Sequence, residues 1–133
     1  MPMRGLTFLK MLVPTAGPIA ARENAEYILR MAKRLSSEVD VIHIRDKTEN
    51  SAGRVALQIF AELAEKLGVK CRTRMILGEV VQTIVEEAER ENVDLIVMGA
   101  SKGRIVANWI VSEILNETHV PVVIIPTSLP ETD

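Results

Sequence analysis

The chain has 133 residues, of which 47% are apolar and 26% are charged, and its net charge is −2. This length and apolar fraction are sufficient for one globular domain with its own core, and the interspersed charges exclude the basic surface of a nucleic-acid-binding protein. The single cysteine, Cys71, excludes an internal disulfide and favours a reducing cytoplasm.

The apolar run at the N-terminus does not read as a signal peptide. It is interrupted by Lys10 and stopped by Pro14, and no convincing cleavage site follows. No segment approaches the ~20 consecutive apolar residues that span a bilayer. We therefore expect a cytoplasmic protein that does not insert into membranes.

Apolar runs rich in Val, Ile and Leu alternate with segments in which apolar residues recur at helical spacing. The runs predict five strands, at residues 7–13, 39–45, 69–77, 95–98 and 122–125. The segments between them predict four helices, at residues 18–35, at 52–67, from about 79, and at 105–117. Pro18 suits a first helical turn, and Gly68 suits the position just after a helix.

The pattern also predicts which side chains face solvent. The third strand alternates and is expected to expose three basic side chains: Lys70, Arg72 and Arg74. The third helix is expected to expose three glutamates: Glu79, Glu86 and Glu87. The fourth strand is continuously apolar, which is typical of a parallel strand that is buried on both faces.

Strands that alternate with helices form successive βαβ units, and their right-handed connections place helices on both faces of a sheet. The predicted fold is therefore a single α/β domain, an open parallel five-stranded sheet of Rossmann-like architecture, over residues 1–126. Residues 127–133 are polar and are expected to form a loose tail.

Residue types that carry catalysis or bind metals are sparse in this sequence. Neither His43 nor His119 has partners at the spacing of a zinc site or a catalytic triad, so a structural or surface role is favoured for both. The first strand–helix turn reads VPTAGP and lacks the glycine pattern of dinucleotide-binding enzymes. We predict no catalytic residue and no metal site.

The loop after the fourth strand is the strongest candidate for a binding site. It contains two glycines, a hydroxyl and two cations: Gly99, Ser101, Lys102, Gly103 and Arg104. Glycine N–H groups, a following helix N-terminus and basic side chains together suit an anion such as phosphate. The alternative is that the glycines only permit a tight turn.

Four segments resemble the universal stress protein family: MLVPTAG, VDVIHIRD, VDLIVMGASKGR and SEILNETHVPVVIIP. The resemblance extends over nearly the whole chain and is most specific in the second half. It implies a small cytoplasmic domain of the adenine-nucleotide alpha-hydrolase-like type, linked to survival under stress. It also implies a homodimer that pairs through the last strand, whose residues here are Val122, Val123, Ile124 and Ile125.

Nucleotide-binding members of that family hold phosphates with a glycine, two residues, a second glycine, nine residues and then Gly-Ser or Gly-Thr. Gly99 matches the first glycine, but Lys102 stands in the place of the second. Trp109 and Ile110 stand in the place of the closing pair. A shifted alignment makes Ser112 the phosphate-binding hydroxyl.

The first turn departs from the family as well. ATP-binding members place an Asp and a Ser there, whereas this chain has Ala16 and Pro18 and keeps only Gly17 between them. Two or three missing charge-assisted hydrogen bonds amount to about 3 kcal/mol or more, which is roughly a hundredfold in affinity.

Three functions are therefore open. The leading hypothesis is a non-catalytic, dimeric stress-response or regulatory module with a degenerate nucleotide loop. The second is an adenine-nucleotide binder, with ATP and Mg²⁺ as ligands and slow hydrolysis. The third is a domain that regulates a transporter or an enzyme by docking onto it.

Overall fold

The computed structural model describes residues 9–45, 51–99 and 108–126 of the chain, without the side chains of residues 108 and 109. Its strands are β1 (Leu9–Pro14), β2 (Ser37–Arg45), β3 (Cys71–Leu77), β4 (Leu95–Gly99) and β5 (Val122–Ile125). Its helices are α1 (Pro18–Leu35), α2 (Ala52–Leu67), α3 (Val80–Arg90) and α4 (Asn108–Glu117). The predicted elements are confirmed within these ranges.

Some boundaries differ from the prediction. β2 begins at Ser37 because this residue already pairs with Leu9 of β1. β3 begins at Cys71, although the carbonyl of Lys70 accepts a hydrogen bond from the N–H of Val39. The first residues of the predicted first strand and fourth helix, and the predicted tail at 127–133, lie outside the described residues.

The five strands form one parallel sheet in the order β3-β2-β1-β4-β5. The predicted fold class is confirmed. The strand order reverses between β1 and β4, which places a crevice at their carboxyl ends. β3 and β5 form the two edges of the sheet.

Helices cover both faces, as predicted. Because side chains alternate along a strand, Met11 and Val13 of β1 join the core beneath α1 and α2, while Leu12 joins the core beneath α3 and α4. Phe60 is the largest side chain buried in the first core, and Ile84 of α3 is fully buried in the second.

The helix ends follow the sequence signals. Pro18 occupies the start of α1, where its missing N–H costs no intrahelical bond. Gly68 follows α2 with a φ of 74°, a left-handed conformation that glycine adopts without a steric penalty. Its N–H donates to the carbonyl of Glu65 at 3.3 Å.

Two exposure predictions are wrong. Glu87 was expected to face water, but it is 3% exposed and accepts hydrogen bonds from Arg74 at 2.7 Å and Arg90 at 2.6 Å. Arg74 lies beneath α3, because its guanidinium also binds the buried carboxylate of Asp40 at 2.9 Å. Along this face of the third strand, Lys70 and Arg72 remain exposed as predicted, and only Arg74 is covered by the ion-pair network and α3.

Candidate functional site

The crevice at the carboxyl ends of β1 and β4 is where an open α/β sheet binds its ligands. The turn from β1 to α1 enters this crevice from one side, and Gly99 ends β4 on the other. Ala16 and Gly99 line the same small cavity, of about 20 Å³, which is room for about one water molecule.

Hydrogen bonds to β2 hold the first turn in place. The N–H of Thr15 donates to the carbonyl of Ile42 at 2.9 Å. The carbonyl of Thr15 lies 2.9 Å from Nδ1 of His43, and since a carbonyl can only accept, Nδ1 carries the proton. His43 is 5% exposed, and a Cβ on Gly53 of α2 would overlap its ring. The geometry gives His43 a structural role, as predicted.

No described residue fills the space in front of Gly17, at the N-terminus of α1. Gly17 caps the helix with an extended backbone that any residue can adopt, and its carbonyl accepts from the N–H of Ala21 at 2.9 Å. A Cβ added at Gly17 would meet no atom of the described residues within 4 Å. Ala16 is exposed, and the first turn of α1 contains no acidic residue that could take the place of the family's Asp.

Gly99 packs against a polar side chain that the sequence analysis did not single out. Asn24 of α1 is 4% exposed, and its amide donates to the carbonyl of Ala20 at 3.0 Å. A Cβ at Gly99 would overlap this amide. The glycine therefore has a packing reason that is independent of any ligand. The sequence signal that could have identified Asn24 is its position as a polar residue on the apolar face of the first helix.

Of the other predicted binding-site residues, only those on α4 are described. Ser101, Lys102, Gly103 and Arg104 lie outside the described residues. Ser112 is exposed on α4, one turn after the first described residue of that helix. Ile110 is partly buried and packs against the core beneath α3 and α4. This contact gives Ile110 a structural reason to stand where the family has its closing pair.

β5 lies at the edge of the sheet, as expected of a dimerisation strand. Among the described strands it pairs only with β4. Val123 and Ile125 pack into the core beneath α1 and α2, and Val122 packs into the opposite core. Ile124 is 45% exposed and is the one side chain of β5 that is available to a second copy.

The described residues offer little for catalysis. No group of three His, Cys, Asp or Glu side chains within residues 9–45, 51–99 and 108–126 is arranged to hold a metal ion. Burial raises the pKa of the Cys71 thiol to about 11, so this thiol is a poor nucleophile at neutral pH. In the same ranges, no helix has the length and apolar character needed to cross a membrane.

Comparison with known proteins agrees with the resemblance read from the sequence. The sequence pattern described as "Universal stress protein family" matches residues 7–126. A universal stress protein of Methanocaldococcus jannaschii is 28% identical to this chain, and the alignment covers 89% of this chain and 82% of that protein.

Solved structures with the same fold include nucleotide complexes. A universal stress protein in complex with cAMP has a TM-score of 0.73 at 18% identity, covering 91% of this chain and 98% of its own. A universal stress protein family protein of Arabidopsis thaliana with AMP bound has a TM-score of 0.70 at 19% identity, covering 94% and 95%. At such low identities the similarity shows a shared fold and nothing about the ligand of this chain.

Proposed function

The chain belongs to the universal stress protein family, and we propose that it is a non-catalytic, dimeric stress-response module in which the nucleotide site of the family is altered. The observation that carries the proposal is the composition of the crevice. Among its described residues, the first turn and the end of β4 present Pro14, Thr15, Ala16, Gly17 and Gly99, and none is charged. A cytoplasmic location belongs to the same proposal.

A nucleotide binds through charge-assisted hydrogen bonds to its phosphates and through polar groups that fix its base and sugar. Relatives with cAMP and AMP bound support adenine nucleotides as the ligand class to test. In this chain Ala16 supplies no carboxylate, and Ile110 is engaged in the core. We therefore expect millimolar or undetectable affinity for AMP and for ATP with Mg²⁺.

Calorimetric titration with each nucleotide tests this expectation. The variant Ala16→Asp tests whether the missing carboxylate is the cause of the weak binding. Restoring a carboxylate at the first turn is expected to strengthen binding by roughly tenfold, the equivalent of one good hydrogen bond. Ala61→Asp on the exposed surface of α2 is the matched control, because it adds the same charge far from the crevice. Micromolar binding by the unmodified chain would contradict the proposal.

A second candidate is genuine adenine-nucleotide binding, with slow hydrolysis as its activity. The position of Gly17 favours it, because none of the described residues would obstruct a phosphate that approaches the N-terminus of α1 there. Lys102 and Arg104 add positive charge in the loop after β4. Micromolar affinity that is lost in Gly103→Val would support this candidate over the first.

The dimer follows from an apolar edge strand that ends the sheet. Edges of this kind associate unless charge or another element covers them, and Ile124 is the exposed position on β5. We expect Ile124→Lys to convert a dimer into a monomer in analytical ultracentrifugation. Leu77→Lys is the control, since Leu77 is an exposed apolar residue on the opposite edge strand. An unchanged dimer in Ile124→Lys would refute this interface.

A further inference from the structure

The surface between α3 and α4 contains an open groove of about 430 Å³. Two valines of α3 form its apolar part: Val81, which is 7% exposed, and Val85, which is partly buried. Four glutamates surround them: Glu79, Glu86, Glu113 and Glu117. The groove thus combines an apolar floor with acidic walls that come from two different helices.

The basic side chains of the described ranges do not neutralise these walls. None of the groove glutamates is in an ion pair there, whereas Glu87 on the same helix is paired with Arg74 and Arg90. On α3, Glu79 accepts a hydrogen bond from the N–H of Gln82 at 2.8 Å, and Glu86 accepts one from its side chain at 3.0 Å. The carboxylates of α4 have no such partner among the described residues, and α4 contains no basic residue in its last turn.

The charge arrangement on α4 opposes the stability of that helix. Glu113 and Glu117 are four residues apart, so their carboxylates lie on one side of the helix and repel each other. Glu117 is also the last residue of α4, where the helix dipole is negative and disfavours an acid. Both costs are relieved when cations lie in the groove.

We propose that this groove, lined by Val81, Val85 and the four glutamates, is a docking surface for a basic amphipathic peptide segment of a partner protein. Lys or Arg side chains at helical spacing would meet glutamates on both walls, and an apolar side chain between them would contact the valines. The proposal goes beyond the function proposed above and is independent of the nucleotide loop.

The groove is compatible with a dimer formed through β5. α4 connects β4 to the edge strand, so the side of α4 that faces α3 points away from that edge. Leu115, which is 56% exposed, lies two residues from both glutamates of α4 and hence about 200° around the helix from them. A partner segment and a second copy of the chain would contact different sides of α4.

The test uses a fluorescein-labelled peptide of leucine and lysine, about 15 residues long and roughly four helical turns, with glutamate in place of lysine in a matched peptide. Fluorescence anisotropy is expected to show binding of the lysine peptide that weakens as salt is raised, and no binding of the glutamate peptide. Glu113→Gln/Glu117→Gln is expected to weaken binding roughly five- to tenfold. Because both carboxylates oppose helix stability, this variant should fold normally.

The matched control is Glu62→Gln/Glu65→Gln, which removes the same charge from the exposed surface of α2 on the other face of the sheet. It is expected to leave binding unchanged. Equal weakening in both double variants would overturn the proposal, because attraction by net charge alone would explain it. Absence of binding, or displacement of the peptide by equimolar spermidine, would overturn it as well.

Two further measurements separate this proposal from the one above. The Glu113→Gln/Glu117→Gln variant is expected to keep the sedimentation coefficient and the nucleotide titration of the unmodified chain. If the same variant instead becomes monomeric, the groove is part of the interface between copies, and the docking proposal is refuted. If only Ile124→Lys changes the oligomeric state, both proposals stand.

Discussion

The amino and carboxyl ends of the sheet are built by opposite means. At the amino end, Asp40 is 2% exposed and receives the guanidinium groups of Arg72 at 2.7 Å and Arg74 at 2.9 Å. At the carboxyl end, the described turn and strand end use small side chains and backbone groups, with Asn24 packed against Gly99. Ionic contacts therefore fix one end, which allows residues at the ligand-binding end to change without loss of the fold.

The amino-end network connects elements that are distant in the chain. Arg72 binds Glu91 at 2.8 Å as well as Asp40, which joins β3 and β2 to the end of α3. The backbone N–H of Lys10 donates to the carboxylate of Asp94 at 2.9 Å, which joins the start of β1 to the start of β4. Since its carboxylates are buried or partly buried, removing one of them leaves desolvated cations with fewer partners and costs more than breaking a surface ion pair.

The largest effect is expected from breaking the network at its centre. Asp40→Ala removes a buried carboxylate that both Arg72 and Arg74 bind, and the free energy of unfolding should fall by about 2–3 kcal/mol. Urea denaturation measures this loss. Glu26→Gln is the control, because its pair with Arg30 is about 60% exposed on both sides and contributes under about 0.5 kcal/mol. Similar small losses in both variants would show that the network does not anchor the fold.

A smaller loss is expected at the carboxyl end. In Gly99→Ala the added methyl group would overlap the amide of Asn24, and the free energy of unfolding should fall by about 1–3 kcal/mol. Asn24→Ala removes the amide that the methyl group would overlap. The double variant should therefore lose less stability than the two single variants lose together. Chemical denaturation of all three variants measures the coupling. Additive losses would mean that Gly99 is required for another reason.

The third effect is a dependence of stability on acid. A hydrogen bond from Arg72, supported by Lys10, lowers the pKa of Glu91 below its ordinary value of 4.5. The folded chain therefore binds fewer protons than the unfolded chain, and this contribution is present above pH 4.5 and is lost as the pH falls through the lower folded pKa. Urea midpoints between neutral pH and pH ~3 should fall less steeply in Glu91→Gln. The exposed Glu89→Gln is the control and should follow the unmodified chain.

The smallest effect is expected at Gly17. Its backbone is extended and no described residue crowds it, so Gly17→Ser should fold without strain. The hydroxyl can cap the first N–H groups of α1, which is expected to raise the free energy of unfolding by a few tenths of a kcal/mol. Thermal denaturation measures this gain. A loss above about 1 kcal/mol would show that the ligand-binding end does not tolerate change as the comparison implies.

The order of strands and helices could be predicted because it depends on local patterns. Continuous apolar runs and helical spacing are set by neighbours in the chain, and Pro18 and Gly68 mark helix ends through their own backbone preferences. The departures at Ala16 and Ile110 could also be identified from the sequence. The effect of these departures on ligand binding could not be predicted, because the side chains that line a binding site come from separate elements.

The sequence by itself determined the five parallel strands, the helices on both faces and the resemblance to the universal stress protein family, whereas the position of β5 at the edge came from the strand order. Only the tertiary structure decided that Glu87 is buried and Arg74 partly buried, that Asn24 packs on Gly99 and that four glutamates meet between α3 and α4. The physical reason is the range of the interaction. Periodicity reports which way a side chain points along its own element, whereas a contact depends on a partner that the fold brings in from elsewhere in the chain.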